Sequence, residues 1–315
     1  MSGDRKLWID SLRGLAMLMV VYGHSVQGWT PYFVVTSPIK MPLFFVITAF
    51  LFNTRQGNSK LFYKNIFFRL FIPWMLLGLF PYTHPLQRFL DLISGEKLWF
   101  MPCIIWGQII WFYINKLSHS DVQVCIAGLL CSVVGGVLAY YEILCYSMFN
   151  TACVIQVFFV LGHILRKYEG VIFRHERLRL IFFSTGYVAL CICSFLFFRN
   201  EIIDVHKSYY FNIPFCFTII VFGLSALFFL FRVYNYSPKW LVFVGQNTLP
   251  IYLLHSHVIT ITKRIFVFLD YDSSQLPIYF SGLIFLLVSV LVCSIFAFFA
   301  NRYCPIVIGN KRVKV

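Results

Sequence analysis

The sequence has 315 residues, of which 60% are hydrophobic and 12% are charged. Soluble domains contain roughly 45–50% apolar and about 25% charged residues, so the composition excludes a soluble fold. The formal net charge of +14 is spread over short segments between apolar runs, which argues against nucleic acid as a partner and indicates membrane orientation instead. Those runs reach about 20 residues, enough for a helix to cross a hydrocarbon core about 30 Å thick. The sequence therefore predicts an all-α helix bundle in a lipid bilayer.

Ten apolar segments separated by polar breaks predict about ten transmembrane helices. They lie at residues 7–28, 38–52, 62–80, 98–115, 122–141, 147–165, 178–198, 211–231, 242–269 and 277–300. No cleavage site follows the first segment, which is therefore expected to be a retained span and not a signal peptide. The second segment is short and the ninth carries polar residues, so these two have the least defined boundaries.

The distribution of positive charge predicts how the chain lies in the membrane. With ten spans, most of the 26 Lys and Arg residues fall on the side that holds both termini, so both termini are predicted to be cytoplasmic. The loops are short and no internal repeat occurs, which favours a single membrane domain over residues 1–315. Most of the ten cysteines lie inside apolar runs, where Cys is typically a packing residue.

Two ionisable residues, Arg13 and His24, lie inside the first apolar segment. Ionisable groups within a span usually face the bundle interior or a water-filled cavity. Their separation corresponds in a helix to three turns plus about 20°, or roughly 16 Å along one face. The pattern predicts both side chains on one face, with Arg13 near the cytoplasmic end and His24 near the outer leaflet.

This separation is comparable with the length of a pantetheine arm. A helix with this face could bind coenzyme A phosphates at Arg13 and hold a thioester beside His24, whose neutral ring can accept a hydroxyl proton near pH 7. Asp10, three residues before Arg13, can pair with the guanidinium and orient it. The alternative interpretation makes Arg13 a cytoplasmic anchor and His24 a hydrogen-bonded residue at the membrane interface.

Five motifs follow one another along the chain in the order of a known enzyme family. They are DSLRG at residues 10–14 with YGH at 22–24, then MPLFFVI at 41–47, RLFIPW at 69–74, LWFMP at 98–102 and NTLPIYLLH at 247–255. In these motifs the chain resembles the acyltransferase family 3 membrane proteins, whose hallmark is an arginine, ten residues and a histidine. The later motifs look like the branch described as fucose 4-O-acetylase and related acetyltransferases.

The resemblance implies a membrane O-acyltransferase of the bacterial cytoplasmic (inner) membrane. Such an enzyme moves an acetyl group from cytoplasmic acetyl-CoA to a sugar hydroxyl of a cell-envelope polysaccharide or a lipid-linked glycan. The expected partners are acetyl-CoA as acyl donor, the glycan acceptor and the bilayer, while the oligomeric state, including a homodimer, stays open. No Cys/His spacing resembles a zinc site, so no metal is expected.

The resemblance also implies roles for individual residues. His24 acts at the thioester end, either as general base or as a transient carrier of the acetyl group. His255 lies in the active cavity, and burial with a simple hydrogen-bond partner is the alternative. Arg69, with Lys64 a turn before it, joins Arg13 in binding the CoA phosphates, although Arg69 as a simple membrane anchor is the alternative.

The acceptor side is less defined. Trp99 and Phe100 are either aromatic residues of the membrane interface or a stacking surface for a sugar ring. Lys40 and Lys97 stand where the family is expected to carry histidines, so they are candidate acceptor contacts that keep a positive charge.

Three further interpretations complete the sequence analysis. His163 beside Arg166 and Lys167 indicates a cluster that reaches the membrane surface. Four histidines lie in loops and receive no role: His84, His119, His175 and His206. The competing functional class is a transporter or flippase for a lipid-linked glycan or small solute, whose path could be lined by the same ionisable residues, and a structural partner in an envelope complex is a third class.

Overall fold

A computed structural model of the chain describes residues 6–26, 30–52, 59–80, 84–143, 145–198, 201–269 and 277–310. Helices dominate these residues, and their only strand-like feature is an isolated antiparallel bridge between Asp204 and Tyr209. The all-α prediction is therefore confirmed. Residues 27 and 28, the predicted end of the first span, lie outside the described residues.

The helices match the predicted apolar segments, with a few additional short ones. Pro85–Ser94 and Glu169–Ile172 were not predicted. A π-helical turn lies at Phe67–Phe71, and 3₁₀ turns lie at Tyr146–Met148 and Pro305–Ile308. In chain order the α-helices are α1 (Leu7–Ser25), α2 (Pro31–Leu51), α3 (Ser59–Ile66), α4 (Ile72–Leu79), α5 (Pro85–Ser94), α6 (Phe100–Leu117), α7 (Asp121–Tyr140), α8 (Phe149–Val154), α9 (Gln156–Lys167), α10 (Glu169–Ile172), α11 (Glu176–Phe197), α12 (Ile213–Val233), α13 (Lys239–Gln246), α14 (Thr248–Phe268) and α15 (Ile278–Tyr303).

The chain divides into two compact units. The first unit combines residues 1–41, 175–202 and 211–308, and the second combines residues 42–174, 203–210 and 309–315. Whether the chain works as the single domain predicted over residues 1–315 stays a prediction.

Helix α1 lies at the centre of the first unit, where it packs against α12, α13, α14 and α15. Trp8 meets Phe228 edge to face with 6.0 Å between ring centroids, and Leu12 and Ala16 are fully buried. Because protein surrounds α1 on most sides, its polar residues can be partnered by other helices instead of facing lipid.

The second unit is a bundle of shorter elements. Helices α6, α7, α8 and α9 pack against one another. Gly162 of α9 lies so close to the backbone of Val46 in α2 that a methyl group there would also come within 2.8 Å of the Ala49 side chain. Close approach of this kind through small residues is the usual way in which helices associate in membranes.

Within the part of the chain that the structure describes, five helices have the length and apolar character of membrane spans: α2, α7, α11, α12 and α15. The segments Tyr146–Val154 and Gln156–Lys167 add a sixth if they are counted as one span, although they meet at an angle of 46°. The predicted total of ten spans and the cytoplasmic termini stay predictions.

The second and ninth predicted segments differ from the observed helices. The second was predicted from residue 38, but α2 begins at Pro31 and runs through Pro38, which membrane helices tolerate better than soluble ones. The ninth is divided at Asn247 into α13 and α14.

The third predicted segment, residues 62–80, contains the π-helical turn. Pro73 has no N–H to donate to the carbonyl of Arg69, four residues earlier, and a proline ring clashes with that carbonyl in a regular helix. The wider π-helical turn at Phe67–Phe71 accommodates this proline.

Arg88 lies between the third and fourth predicted segments, where the sequence predicted no helix. It lies in α5, is only 4% exposed, and donates from Nε to the Gly78 carbonyl at 2.9 Å. Gly78 belongs to the last turn of α4, whose carbonyls have no partner within the helix. Arg88 therefore caps the C-terminal end of α4.

Candidate active site

The first unit brings α13 against α1 through two glycines. A methyl group on Gly245 would overlap the main chain of Asp10, with 2.6 Å to its carbonyl carbon, and would lie 3.0 Å from the nitrogen of Gly14. A methyl group on Gly14 would in turn overlap the Leu241 carbonyl. Only residues without a side chain allow the two backbones to approach so closely.

This close crossing supplies partners for the polar residues at the start of α1. Gln246 donates from Nε2 to the carboxylate of Asp10 at 3.2 Å, and Asp10 is 5% exposed. Arg13 is half-buried and donates from Nη2 to the hydroxyl of Thr248 at 3.3 Å. Whether Asp10 also orients Arg13, as predicted, stays a prediction.

His24, near the other end of α1, lies beside His255 of α14. The two ring centroids are 5.0 Å apart and the ring planes are tilted by 50°. His24 is exposed, whereas His255 is 2% exposed. The pair thus joins an accessible imidazole to a buried one.

The tautomer of His255 follows from its neighbours. Its Nδ1 lies 3.1 Å from the Ile251 carbonyl and 2.7 Å from the Tyr252 carbonyl, so Nδ1 carries the hydrogen and Nε2 presents a lone pair. Among the described residues Nε2 has no hydrogen-bond partner, although it is fully buried. A buried acceptor of this kind calls for a donor from outside the described residues, such as water or substrate.

Arg13 and His24 therefore both meet α14. Helix α1 is unbroken from Leu7 to Ser25, and the partners on α14, Thr248 and His255, are themselves separated by about two helical turns and so lie on one face. Arg13 and His24 thus lie along one face of a continuous helix, and their catalytic roles stay predictions.

Lys40 is the second cation of the first unit near this face. Its Nζ would lie 3.2 Å from a methyl group on Gly23, the residue before His24, and 5.0 Å from the centroid of the Phe33 ring. The ammonium group is thus held next to the His24 end of α1.

The predicted acceptor residues Trp99 and Phe100 lie in the second unit with distinct contacts. Phe100 packs against Phe44 and Phe45, with ring centroids 5.6 and 5.3 Å apart. Trp99 stacks on His206, with centroids 5.0 Å apart and planes 24° from parallel. One face of the Trp99 indole is therefore covered by a histidine that received no role from the sequence.

A docked turn holds His206 in place. Thr151 donates to the His206 carbonyl at 3.1 Å, and Asp204 accepts from the His206 amide at 3.0 Å. Ile203 and Val205 of the same turn are buried. Burial lowers the pKa of His206, an effect that nearby Asp204 partly offsets, so the ring is neutral at pH 7.

The remaining predicted contacts of the second unit are exposed. Lys97 lies just before α6, Lys64 lies in α3, and Arg69 lies in the π-helical turn. Exposure leaves their charges accessible to a phosphate or a glycan.

His163 pairs with an acid as well as lying near bases. Its Nε2 is 3.0 Å from Asp121 Oδ1, and Lys167 contacts the same carboxylate. The predicted cluster therefore includes an acid at the start of α7: Lys167 forms an ion pair with Asp121, and His163 hydrogen-bonds to the same carboxylate. This arrangement explains His163 without a catalytic role.

Sequence reasoning missed two partners of the predicted site, Gln246 and Thr248, because each is remote in sequence from the α1 residue that it contacts. Thr248 had a usable signal, since its spacing from His255 places both on one helical face. Gln246 had no such signal.

The fold and this face together define a class of protein: an all-helical membrane protein with ionisable groups lined up inside it. The family model described as an acyltransferase domain, of acyltransferase family 3, matches residues 6–298. The chain belongs to this family and is a membrane acyltransferase. No curated protein and no solved structure matches it.

Proposed function

We propose that the chain transfers an acetyl group from cytoplasmic acetyl-CoA to a sugar hydroxyl of a cell-envelope polysaccharide or lipid-linked glycan. The family membership supports acyl transfer, and the sequence motifs favour the branch related to fucose 4-O-acetylase. The enzyme works in the bacterial inner membrane with both termini in the cytoplasm.

One observation carries the proposal: Arg13 and His24 share one face of α1, and each meets a residue of α14. Arg13 binds the donor phosphates by charge-assisted hydrogen bonds. The pantetheine arm of acetyl-CoA then reaches roughly 16 Å along this face and brings the thioester to His24. An accessible imidazole at the far end suits a group that must meet both donor and acceptor.

In the proposed reaction His24 is the general base. His24 takes the proton of the sugar hydroxyl, and the oxygen forms a bond to the thioester carbonyl carbon. The carbon–sulfur bond then breaks, and the CoA thiolate leaves and takes the proton from His24. In the alternative mechanism the acetyl group moves first from the CoA sulfur to the His24 ring and then from His24 to the sugar oxygen.

His255 and Lys40 assist this step from neighbouring positions. The lone pair of His255 Nε2 can accept a hydrogen bond from the acceptor hydroxyl or from His24. The Lys40 ammonium favours the negative charge that develops on the carbonyl oxygen. Asp10 acts indirectly, by fixing the start of α1 against Gln246.

The second unit contributes the contacts that the sequence predicted there. Arg69 and Lys64 are proposed to bind phosphates of CoA, and Lys97, Trp99 and Phe100 to contact the glycan. Because His206 covers one face of Trp99, a sugar ring would stack on the opposite face of the indole.

The proposal is tested with purified protein in vesicles, supplied with acetyl-CoA labelled in its acetyl group and with envelope glycan. Label is expected in the glycan as an ester that mild base releases. Glycan that crosses the vesicle membrane without acetyl-CoA, and carries no label, would support the transporter class instead.

Arg13→Gln serves as the site variant in the same assay. We expect a raised KM for acetyl-CoA with a smaller change in kcat, because Arg13 is proposed to bind the donor and not the reacting atoms. An unchanged KM would contradict the donor role of Arg13.

A further inference from the structure

Gly309, near the C-terminal end of the described chain, lies against the backbone of Arg69. Gly309 has φ +74°, a left-handed conformation that residues with a side chain rarely adopt. A methyl group on Gly309 would overlap the Arg69 carbonyl oxygen and lie 3.1 Å from both its carbonyl carbon and its Cα. Glycine is therefore required here for two independent reasons.

The Arg69 carbonyl is an unusual point of contact because of Pro73. In a regular α-helix the residue at position 73 would donate its N–H to this carbonyl, and proline has none. The chain forms a π-helical turn instead, in which the Ile72 amide donates to the Phe67 carbonyl. Gly309 thus packs on the backbone where the helix departs from α geometry.

Arg69 lies inside the π-helical turn at Phe67–Phe71. The wider turn changes the angle between successive side chains around the helix axis, so it sets the direction in which the Arg69 side chain leaves the helix.

We propose that Gly309 is a positioning residue for Arg69: its backbone contact holds the π-helical turn so that the guanidinium points toward the phosphates of the acyl donor. This inference rests on the proposed function, in which Arg69 binds acetyl-CoA. It assigns a donor-site role to Gly309, which lies outside all five sequence motifs.

The test is a double-mutant cycle read as KM for acetyl-CoA and kcat. Gly309→Ala is expected to raise KM about fivefold to tenfold, the effect of misdirecting one charge-assisted hydrogen bond, with little change in kcat. Gly170→Ala is the matched control, because a methyl group there meets nothing within 4 Å, and it should leave both constants unchanged.

The double mutant distinguishes a role of Gly309 in positioning Arg69 from general damage to the fold. Arg69→Gln should raise KM at least as much as Gly309→Ala, and adding Gly309→Ala to Arg69→Gln should raise it no further. If Gly309→Ala does not fold, Pro73→Ala replaces it in the cycle, because it restores a donor for the Arg69 carbonyl and should redirect the same side chain.

Two results have distinct meanings. If Arg69→Gln raises KM and neither Gly309→Ala nor Pro73→Ala does, or if their effects add to that of Arg69→Gln, the positioning role is wrong and the proposed function stands. If Arg69→Gln leaves KM unchanged, the donor role of Arg69 is wrong, and the positioning role falls with it.

Discussion

Gly245→Ala adds one methyl group at the crossing of α13 and α1. The new carbon would lie 2.6 Å from the Asp10 carbonyl carbon and 3.0 Å from the Gly14 nitrogen, whereas atoms in ordinary contact are about 3.5–4.0 Å apart. These are backbone atoms, which cannot rotate away, so the helices must separate. Separation weakens the hydrogen bonds from Gln246 to Asp10 and from Arg13 to Thr248.

The expected magnitude follows from two opposing effects. Overpacking of this kind destabilises a fold by about 1–3 kcal/mol, while alanine in place of glycine favours a helix interior by about 0.8–1.0 kcal/mol. Gly136→Ala in α7 is the matched control, because a methyl group there meets nothing within 4 Å. Because this helix preference acts on both variants and cancels, their free energies of unfolding should differ by about 1–3 kcal/mol, the cost of overpacking at residue 245.

A thiol-reactive dye provides the assay. All ten cysteines are free, and Cys103, Cys216 and Cys293 are among the buried ones, so unfolding in denaturant or on heating exposes them. Acetyl transfer at a temperature where Gly245→Ala is folded should also fall below that of Gly136→Ala. Equal unfolding profiles and equal activity for the two variants would refute the reasoning about this crossing.

Two further predictions concern the turn at residues 203–210 and the cation beside α1. Because burial lowers the pKa of His206, protonation weakens the turn at residues 203–210 as the pH falls below about 6.5. Amide hydrogen exchange in this turn, corrected for intrinsic rates, should therefore be faster at about pH 5 than at pH 7. His206→Phe should remove this pH dependence. Lys40→Met should lower kcat by about 10²-fold, because the positive charge that stabilises the developing oxyanion is lost. Lys40→Arg keeps the charge and should retain a higher kcat than Lys40→Met. Equal kcat values for both variants would exclude a charge effect.

The first span shows what the sequence can predict. No proline interrupts residues 7–25, so regular helix geometry alone fixed the relation between Arg13 and His24. The composition was equally sufficient for the all-helical class, because an apolar chain in lipid must satisfy its backbone within helices.

The partners of that helix could not be predicted in the same way. Gln246 and Thr248 contact α1 across more than 200 residues of sequence, and nothing local in the chain specifies such a pairing. The half-buried position of His206 likewise comes from its stacking on Trp99, a residue remote in sequence.

Prolines account for part of the difference between the predicted segments and the observed helices. The second segment was predicted to start at residue 38, yet α2 begins at Pro31 and continues through Pro38, while Pro73 changes the hydrogen bonding of its helix without ending it. A proline signals only a missing donor, and neighbouring helices decide how that loss is accommodated.

The central claim is that Arg13 binds the acyl donor and that His24, on the same face of α1, performs the transfer. Its most direct test is the kcat of His24→Gln in purified, folded protein. His119→Gln is the control, because His119 is an exposed loop histidine. We expect His24→Gln to lose acetyl transfer by at least about 10²-fold, the contribution typical of a general base, while His119→Gln keeps the native rate. Acetyl transfer by His24→Gln at the native rate would show that the chemistry lies elsewhere in the protein.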